Sequence, residues 1–168
     1  MPLTIYQKSV YLTIFNATMI SRSVGRTFHG NQLRFKKKVF NIIECLTSLM
    51  DAGDLTEEHI INAIYTLSND TDVSWGQAQK PINVILKYHF FLTIGLTDPN
   101  NEIKRVLHCP IDSKILNIIG RPNLKLTNID ETTYMEIQMC IQEQGNMPTR
   151  VDFDEQWDKQ HLQDAGIE

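Results

Sequence analysis

Apolar residues recur every three or four positions in the first half of this chain, which is the spacing of amphipathic α-helices. From Leu33 to Met50 they fall on one face, and Gly53 follows as a stop signal. The stretch from Asp54 to Glu57 matches a capping box and predicts the start of a second helix. The apolar positions of the two helices are Val39, Phe40, Ile43, Leu46, Met50, Ile60, Ile61, Ile64 and Leu67.

A third helix is predicted from Pro81 to about Ile94. Proline suits the first helical position, because the N–H that it lacks has no partner there in any case. Apolar residues occupy nearly every face of this segment. That pattern favours a helix buried at the centre of the fold.

The rest of the chain contains three more helical patterns. Asp112 is placed to cap a short helix that ends at Gly120, and a longer helix is predicted from about Asp130 to Gln144. The last helix carries Phe153 and Trp157. The apolar positions of the first two are Ile115, Leu116, Ile118, Ile119, Tyr134, Ile137 and Ile141.

Strand-like alternation is weak, and its best example, Leu3 to Ile14, fits a helix equally well. We therefore predict an all-α fold, a compact helical domain. With 168 residues, 42% of them hydrophobic, the chain can form a single domain over residues 1–168 with a substantial core. A division into two small lobes, with the functional site in residues 74–120, stays open.

The composition also bears on location. No apolar stretch reaches the length of a membrane span, and the N-terminus lacks the charged leader of a signal peptide, so we expect no membrane partner. Cys45, Cys109 and Cys140 are odd in number, far apart and in apolar surroundings. This usage favours reduced thiols in an intracellular, cytoplasmic protein over a disulfide framework.

The net charge of −4 conceals a strong polarity along the chain. Residues 1–43 contain seven Lys or Arg and no acid, whereas residues 129–168 contain ten acids and two bases. A basic cluster of this kind predicts contacts with phosphates; its alternative is a solvated helix face that meets the acidic end of the same chain. The cluster consists of Arg22, Arg26, Arg34, Lys36, Lys37 and Lys38.

Lys80 and Asp112 are the candidate catalytic residues. If Pro81 opens a buried helix, Lys80 lies at its positive end, where the helix dipole and burial both favour the neutral, nucleophilic amine. Asp112 lies at the start of its own helix, where free amides favour an ionised carboxylate. Such a carboxylate can take a proton from an attacking amine or stabilise a developing positive charge. The alternative is that Lys80 faces solvent and Asp112 is only a helix cap.

Two short segments contain these residues. GQAQK ends at Lys80, HCPID ends at Asp112, and each leads into an apolar helix. They resemble the lysine and aspartate segments of helix-hairpin-helix DNA glycosylases with lyase activity. The interval of 32 residues is similar to that of the archaeal 8-oxoguanine glycosylase type. The resemblance covers about residues 74–120, and the turn before Lys80 carries one glycine, Gly76, where the family has two.

The resemblance implies a helix-hairpin-helix glycosylase-like fold and a repair reaction on DNA that contains an oxidised or modified purine. Lys80 would attack C1′ of an extruded nucleotide and form a Schiff base, and Asp112 would activate the lysine. The Schiff base would then permit β-elimination at the abasic site, and no cofactor is required. A non-catalytic module that binds a nucleotide or nucleic acid in a glycosylase-like pocket is the alternative function.

A base pocket would need an aromatic ring and hydrogen-bonding groups near Lys80. The candidates are Trp75, Gln77, Gln79, His108 and Trp157. The five histidines lack the paired spacing of metal ligands, so we predict no metal site. The oligomeric state is left undetermined, and a protein–protein adaptor is a plainer possibility without a specific motif.

Overall fold

The computed structural model describes residues 3–19, 32–94, 102–144, 148–164 and 166. Within its helices a few side chains are left out of the description: those of Met19, Glu155, Gln156, Trp157, Gln160, His161 and Asp164. The described residues form helices and no strand, which confirms the all-α prediction.

The described residues form eight α-helices. They are α1 (Ile5–Met19), α2 (Gln32–Ala52), α3 (Glu57–Thr71), α4 (Trp75–His89), α5 (Glu102–Val106), α6 (Ser113–Ile118), α7 (Glu131–Gln144) and α8 (Arg150–Asp164). A π-helical turn, Phe90–Ile94, continues α4, and a 3₁₀ turn spans Leu126–Asn128. None of these helices combines the length and the apolar character that crossing a bilayer requires.

Helix α4 lies at the centre, as its apolar pattern predicted. It packs against α1, α2 and α3, and also against α7 and the 3₁₀ turn. Ile82, Ile85 and Leu86 are fully buried within it. Buried apolar side chains from α1 to α8 form one hydrophobic cluster around this helix. The central position of α4 means that residues on its different faces contact different parts of the chain.

The helix termini are partly as predicted. Gly53 ends α2 with a φ of +80°, a backbone conformation that glycine adopts at little cost. The predicted capping box at Asp54 and Glu57 is wrong, because the cap of α3 is Thr56. The Thr56 side chain accepts from the backbone N–H of His59, and His59 Nδ1 accepts from the backbone N–H of Thr56 at 3.1 Å. Histidine thus takes the place that Glu or Gln usually holds in this motif.

The start of α4 also differs from the prediction. Ser74 is the cap, and Gln77 completes a capping box by accepting from the Ser74 N–H at 3.0 Å. Pro81 therefore lies inside the helix, where it cannot donate a backbone hydrogen bond to the preceding turn. Lys80 lies within the helix as well, beyond the first turn in which the helix dipole acts. The dipole argument for a neutral Lys80 thus does not apply.

Gly76 allows the 3₁₀ turn to pack tightly against the first turn of α4. Its N–H donates to Ile129 O at 3.2 Å. A Cβ atom at this position would overlap the carbonyl oxygen of Leu126 and lie 2.9 Å from the Ile129 side chain. Only glycine fits here, so its role in the structure is close packing.

The later helices agree with the sequence. Asp112 caps α6, which stops at Gly120 with a φ of +76°. Helix α7 buries Tyr134, Ile137 and Ile141, the three residues predicted to face inward. In these segments the turn residues and the apolar spacing indicated the same helix boundaries, and the predicted helix positions are confirmed.

Candidate active site

Lys80 and Asp112, 32 residues apart in sequence, meet in the structure. Lys80 Nζ lies 3.6 Å from Asp112 Oδ2, an ion-pair distance slightly longer than a direct hydrogen bond. The lysine side chain is 13% exposed and the aspartate side chain 31% exposed, so the pair lies at the edge of the protein interior. The structure therefore brings together the two residues that the sequence singled out, whereas their catalytic role stays a prediction.

The two carboxylate oxygens of Asp112 have different partners. Oδ1 accepts from the backbone N–H groups of Lys114 at 2.9 Å and Ile115 at 3.0 Å, which is the cap of α6. Oδ2 is the atom nearest Lys80. The cap fixes the orientation of the carboxylate, and the second oxygen stays directed at the amine.

Two buried glutamines hold the segment that leads into Asp112. Gln79 Nε2 donates to the carbonyl of Ile111 at 2.7 Å, and Gln79 Oε1 accepts from the Ile111 N–H at 3.1 Å. Gln138 makes the same pair of bonds with Cys109, at 2.8 and 3.1 Å. Each amide thus satisfies both backbone groups of one residue, as a neighbouring strand would. Because Gln79 is adjacent to Lys80 and Ile111 to Asp112, this contact fixes both members of the pair.

A chain of buried side chains continues from Gln79 across the core. Asn83 Nδ2 donates to Gln79 Oε1 at 3.0 Å and to Tyr134 Oη at 2.9 Å. Tyr134 is 2.6 Å from His108 Nδ1, and His108 Nε2 is 2.9 Å from Glu57 Oε1. One assignment satisfies every bond: Tyr134 donates to Nδ1, and a neutral His108 donates from Nε2 to Glu57. Asn83 Oδ1 is buried and has no hydrogen-bond partner among the described residues.

The outer end of this network carries charge. Glu57 Oε1 also accepts from Arg150 at 2.6 Å. The hydrogen bond from His108, followed by the contact with Arg150, lowers the pKa of Glu57 to about 2 against the opposing effect of partial burial. Burial lowers the pKa of His108, in agreement with a neutral imidazole.

Other reactive side chains near the pair are held in unreactive forms. Lys87, two turns after Lys80 on α4, donates to Asp154 at 2.5 Å and to Asp158 at 2.8 Å. These carboxylates outweigh the effect of burial and raise the pKa of the Lys87 amine. Burial raises the pKa of the Cys109 thiol well above its usual value. Among the described residues, no group of three or more His, Cys, Asp or Glu side chains is arranged to hold a metal ion.

The predicted base-pocket residues have internal partners. Trp75 is buried against the ring of Tyr134, with centroids 5.9 Å apart. Gln77 belongs to the capping box, and Gln79 and His108 belong to the buried network. The side chain of Trp157 lies outside the described residues. Contacts within the protein thus account for the positions of the four described candidates. A base-binding role for them stays a prediction.

The described part of the basic cluster, Arg34 and Lys36 to Lys38, lies on α2. Arg34, Lys37 and Lys38 line a cavity of about 750 Å³, and Lys36 and Lys37 line a second cavity of about 530 Å³. Arg22 and Arg26 fall outside the described residues. Two further cavities lie beside Glu57 and Arg150 and between α2 and α3. None of these four cavities is lined by Lys80 or Asp112.

Comparison with known proteins gives no relative on which to base a function. No protein-family model, no curated protein and no solved structure matches the chain. The helix-hairpin-helix relationship therefore stays a prediction that rests on residues 74–120.

Proposed function

We propose that this protein is a DNA glycosylase with β-lyase activity on an oxidised or modified purine, with Lys80 as the nucleophile and Asp112 as its base. The observation that supports this proposal is the 3.6 Å approach of Lys80 Nζ to Asp112 Oδ2. Catalytic hydrogen bonds are often longer in the absence of substrate than in the reacting complex. A small rotation of the lysine would bring the pair within proton-transfer distance.

The reaction follows from the two functional groups. Asp112 takes a proton from Lys80, and the amine then attacks C1′ while the C1′–base bond breaks and the base leaves with the electron pair. The departing base takes up the proton that Asp112 accepted. Opening of the sugar ring then gives an iminium ion, and removal of a C2′ proton expels the 3′ phosphate by β-elimination. Hydrolysis of the imine frees the lysine.

The neighbouring groups favour Lys80 over the alternatives. Lys87 is buried and bound to two carboxylates that hold it protonated, so its nitrogen has no free electron pair. Cys109 is buried and holds its proton. Lys80 contacts one carboxylate at longer range and retains some exposure to solvent.

The test is borohydride trapping with duplex DNA that contains 8-oxoguanine or another modified purine. Wild-type protein is expected to form a covalent adduct, and Lys80→Gln to form none. Asp112→Asn is the matched variant for the base, because asparagine caps a helix as well as aspartate does but cannot accept the proton. Lys125→Gln changes an exposed lysine elsewhere and should trap as the wild type does. Trapping that survives in Lys80→Gln removes Lys80 from the mechanism.

The second candidate is a non-catalytic module that binds a nucleotide or nucleic acid. It is favoured by the two cavities on α2, which are lined by Arg34, Lys36 and Lys37 and not by Lys80 or Asp112, because basic side chains can contact phosphates without the catalytic pair. For this function we expect binding that weakens with salt and no strand cleavage on any modified base. Trapping in the wild-type protein would exclude it.

A further inference from the structure

Two neighbouring cavities lie along α2, and neither is lined by Lys80 or Asp112. Their volumes are about 750 and 530 Å³, and Lys37 and Asn41 line both. The first reaches the end of α3 at Asp70, and the second reaches α1 at Lys8. We refer to the two cavities together as the α2 groove.

Some positive charges of the groove have no carboxylate partner among the described residues. Lys38 pairs with Asp70, and Lys8 lies 3.7 Å from Glu44. Within the described part of the chain, Arg34, Lys36 and Lys37 have no carboxylate within ion-pair distance. Three cations within four residues repel one another, and anionic groups in the groove would relieve that repulsion.

The same groove has an apolar side. Leu12 of α1 and Phe40 of α2 line the 530 Å³ cavity together with the lysines. Leu12 is 38% exposed, and α1 presents further apolar side chains to solvent, including Tyr6, which is 83% exposed. A surface that combines apolar contacts with unpaired cations fits a ligand that carries both flat apolar faces and negative charges.

We propose that the α2 groove binds single-stranded DNA. The phosphates contact Arg34, Lys36 and Lys37, and one or two bases lie against Leu12 and Phe40. Proteins that hold single strands use this combination of a basic groove and apolar or aromatic contacts with the bases. A duplex presents its phosphates but hides the faces of its bases, so the apolar side favours an unpaired strand. The choice of DNA rests on the proposed function; the groove geometry itself does not depend on catalysis.

Because the chain has a net charge of −4, its attraction for a polyanion must come from a local patch. Charge reversal within the groove should therefore act far more strongly than the same reversal elsewhere. The test variant is Lys36→Glu with Lys37→Glu. Its matched control is Lys125→Glu with Lys159→Glu, which changes two exposed lysines outside the groove by the same total charge.

The measurement is fluorescence anisotropy with a labelled oligothymidine strand, its duplex, the corresponding RNA strand and an acidic peptide. We expect the DNA strand to bind at least about five-fold tighter than the duplex. This ratio corresponds to about 1 kcal/mol, the lower end of the free energy of one base-stacking contact. The groove variant should bind more than ten-fold more weakly, and its salt slope should fall by about 1.4, the contribution of two single-strand phosphate contacts. The control should bind as the wild type does.

Leu12→Asn provides the second test, because Leu12 is partly exposed and its replacement need not disturb folding. It should weaken strand binding without changing the salt slope. Equal or tighter binding of duplex, RNA or acidic peptide would overturn the assignment, as would equal losses in the groove variant and its control. Binding is measured on Lys80→Gln as well, so a failure of the catalytic proposal is recognised separately from a failure of this one.

Discussion

Replacing Gln79 with alanine tests whether a buried amide fixes the segment before Asp112. Gln79 and Ile111 are both fully buried, so the variant leaves the Ile111 N–H and C=O without partners in the core. An unsatisfied buried group costs about 1–3 kcal/mol, which gives about 2–6 kcal/mol for the two groups. Water that enters the vacated space offsets part of this loss. We therefore expect the free energy of unfolding to fall by about 2–4 kcal/mol.

Urea unfolding at pH 7, followed by circular dichroism, measures this change. The matched control is Gln142→Ala, which makes the same substitution at an exposed position in helix α7. The control should change the free energy of unfolding by no more than about 0.5 kcal/mol. If Gln79→Ala costs no more than Gln142→Ala, the reasoning about the Ile111 contact is wrong.

Three other predictions follow from named contacts. Gly76→Ala should lower the free energy of unfolding by about 1–3 kcal/mol in urea, because its Cβ overlaps Leu126 O, and an unchanged midpoint would contradict the close packing. Lys87→Met should lower the free energy of unfolding by about 3–5 kcal/mol, because it leaves the buried Asp154 carboxylate without its lysine partner. Adding Asp154→Leu should restore part of that free energy. The pKa of Glu57 is depressed to about 2, so its stabilisation is present above pH 4.5 and is lost as the pH falls toward 2. The difference in unfolding free energy between wild type and Glu57→Gln should shrink over that range, and a constant difference would refute the assignment.

The sequence predicted helices well where periodic apolar residues and turn residues agreed. Helix α2 and the short helix after Asp112 are examples, with Gly53 and Gly120 in left-handed conformations at their ends. Where two start signals competed, the prediction chose the wrong one. Pro81 looked like a first helical residue, but Ser74 and Gln77 form the capping box that begins α4.

The candidate site was predictable only in part. The meeting of Lys80 and Asp112 could be anticipated through the resemblance but not from local pattern, since it depends on how distant segments pack. The network from Gln79 to Glu57 was missed, and two of its residues, Gln79 and His108, were interpreted as ligands for a base. One signal was available: Gln79 and Asn83 are uncharged polar residues one turn apart beside the apolar run of α4, and buried polar groups need partners.

The identity of the reacting lysine decides whether Lys80 is the nucleophile. After borohydride treatment with lesion-containing DNA, protease digestion and mass spectrometry locate the reduced sugar on the chain. We expect the modification on the peptide that contains Lys80. Its appearance on the peptide of Lys87 or Lys114, or an unmodified Lys80 under conditions in which a known lyase is trapped, would exclude Lys80 as the nucleophile.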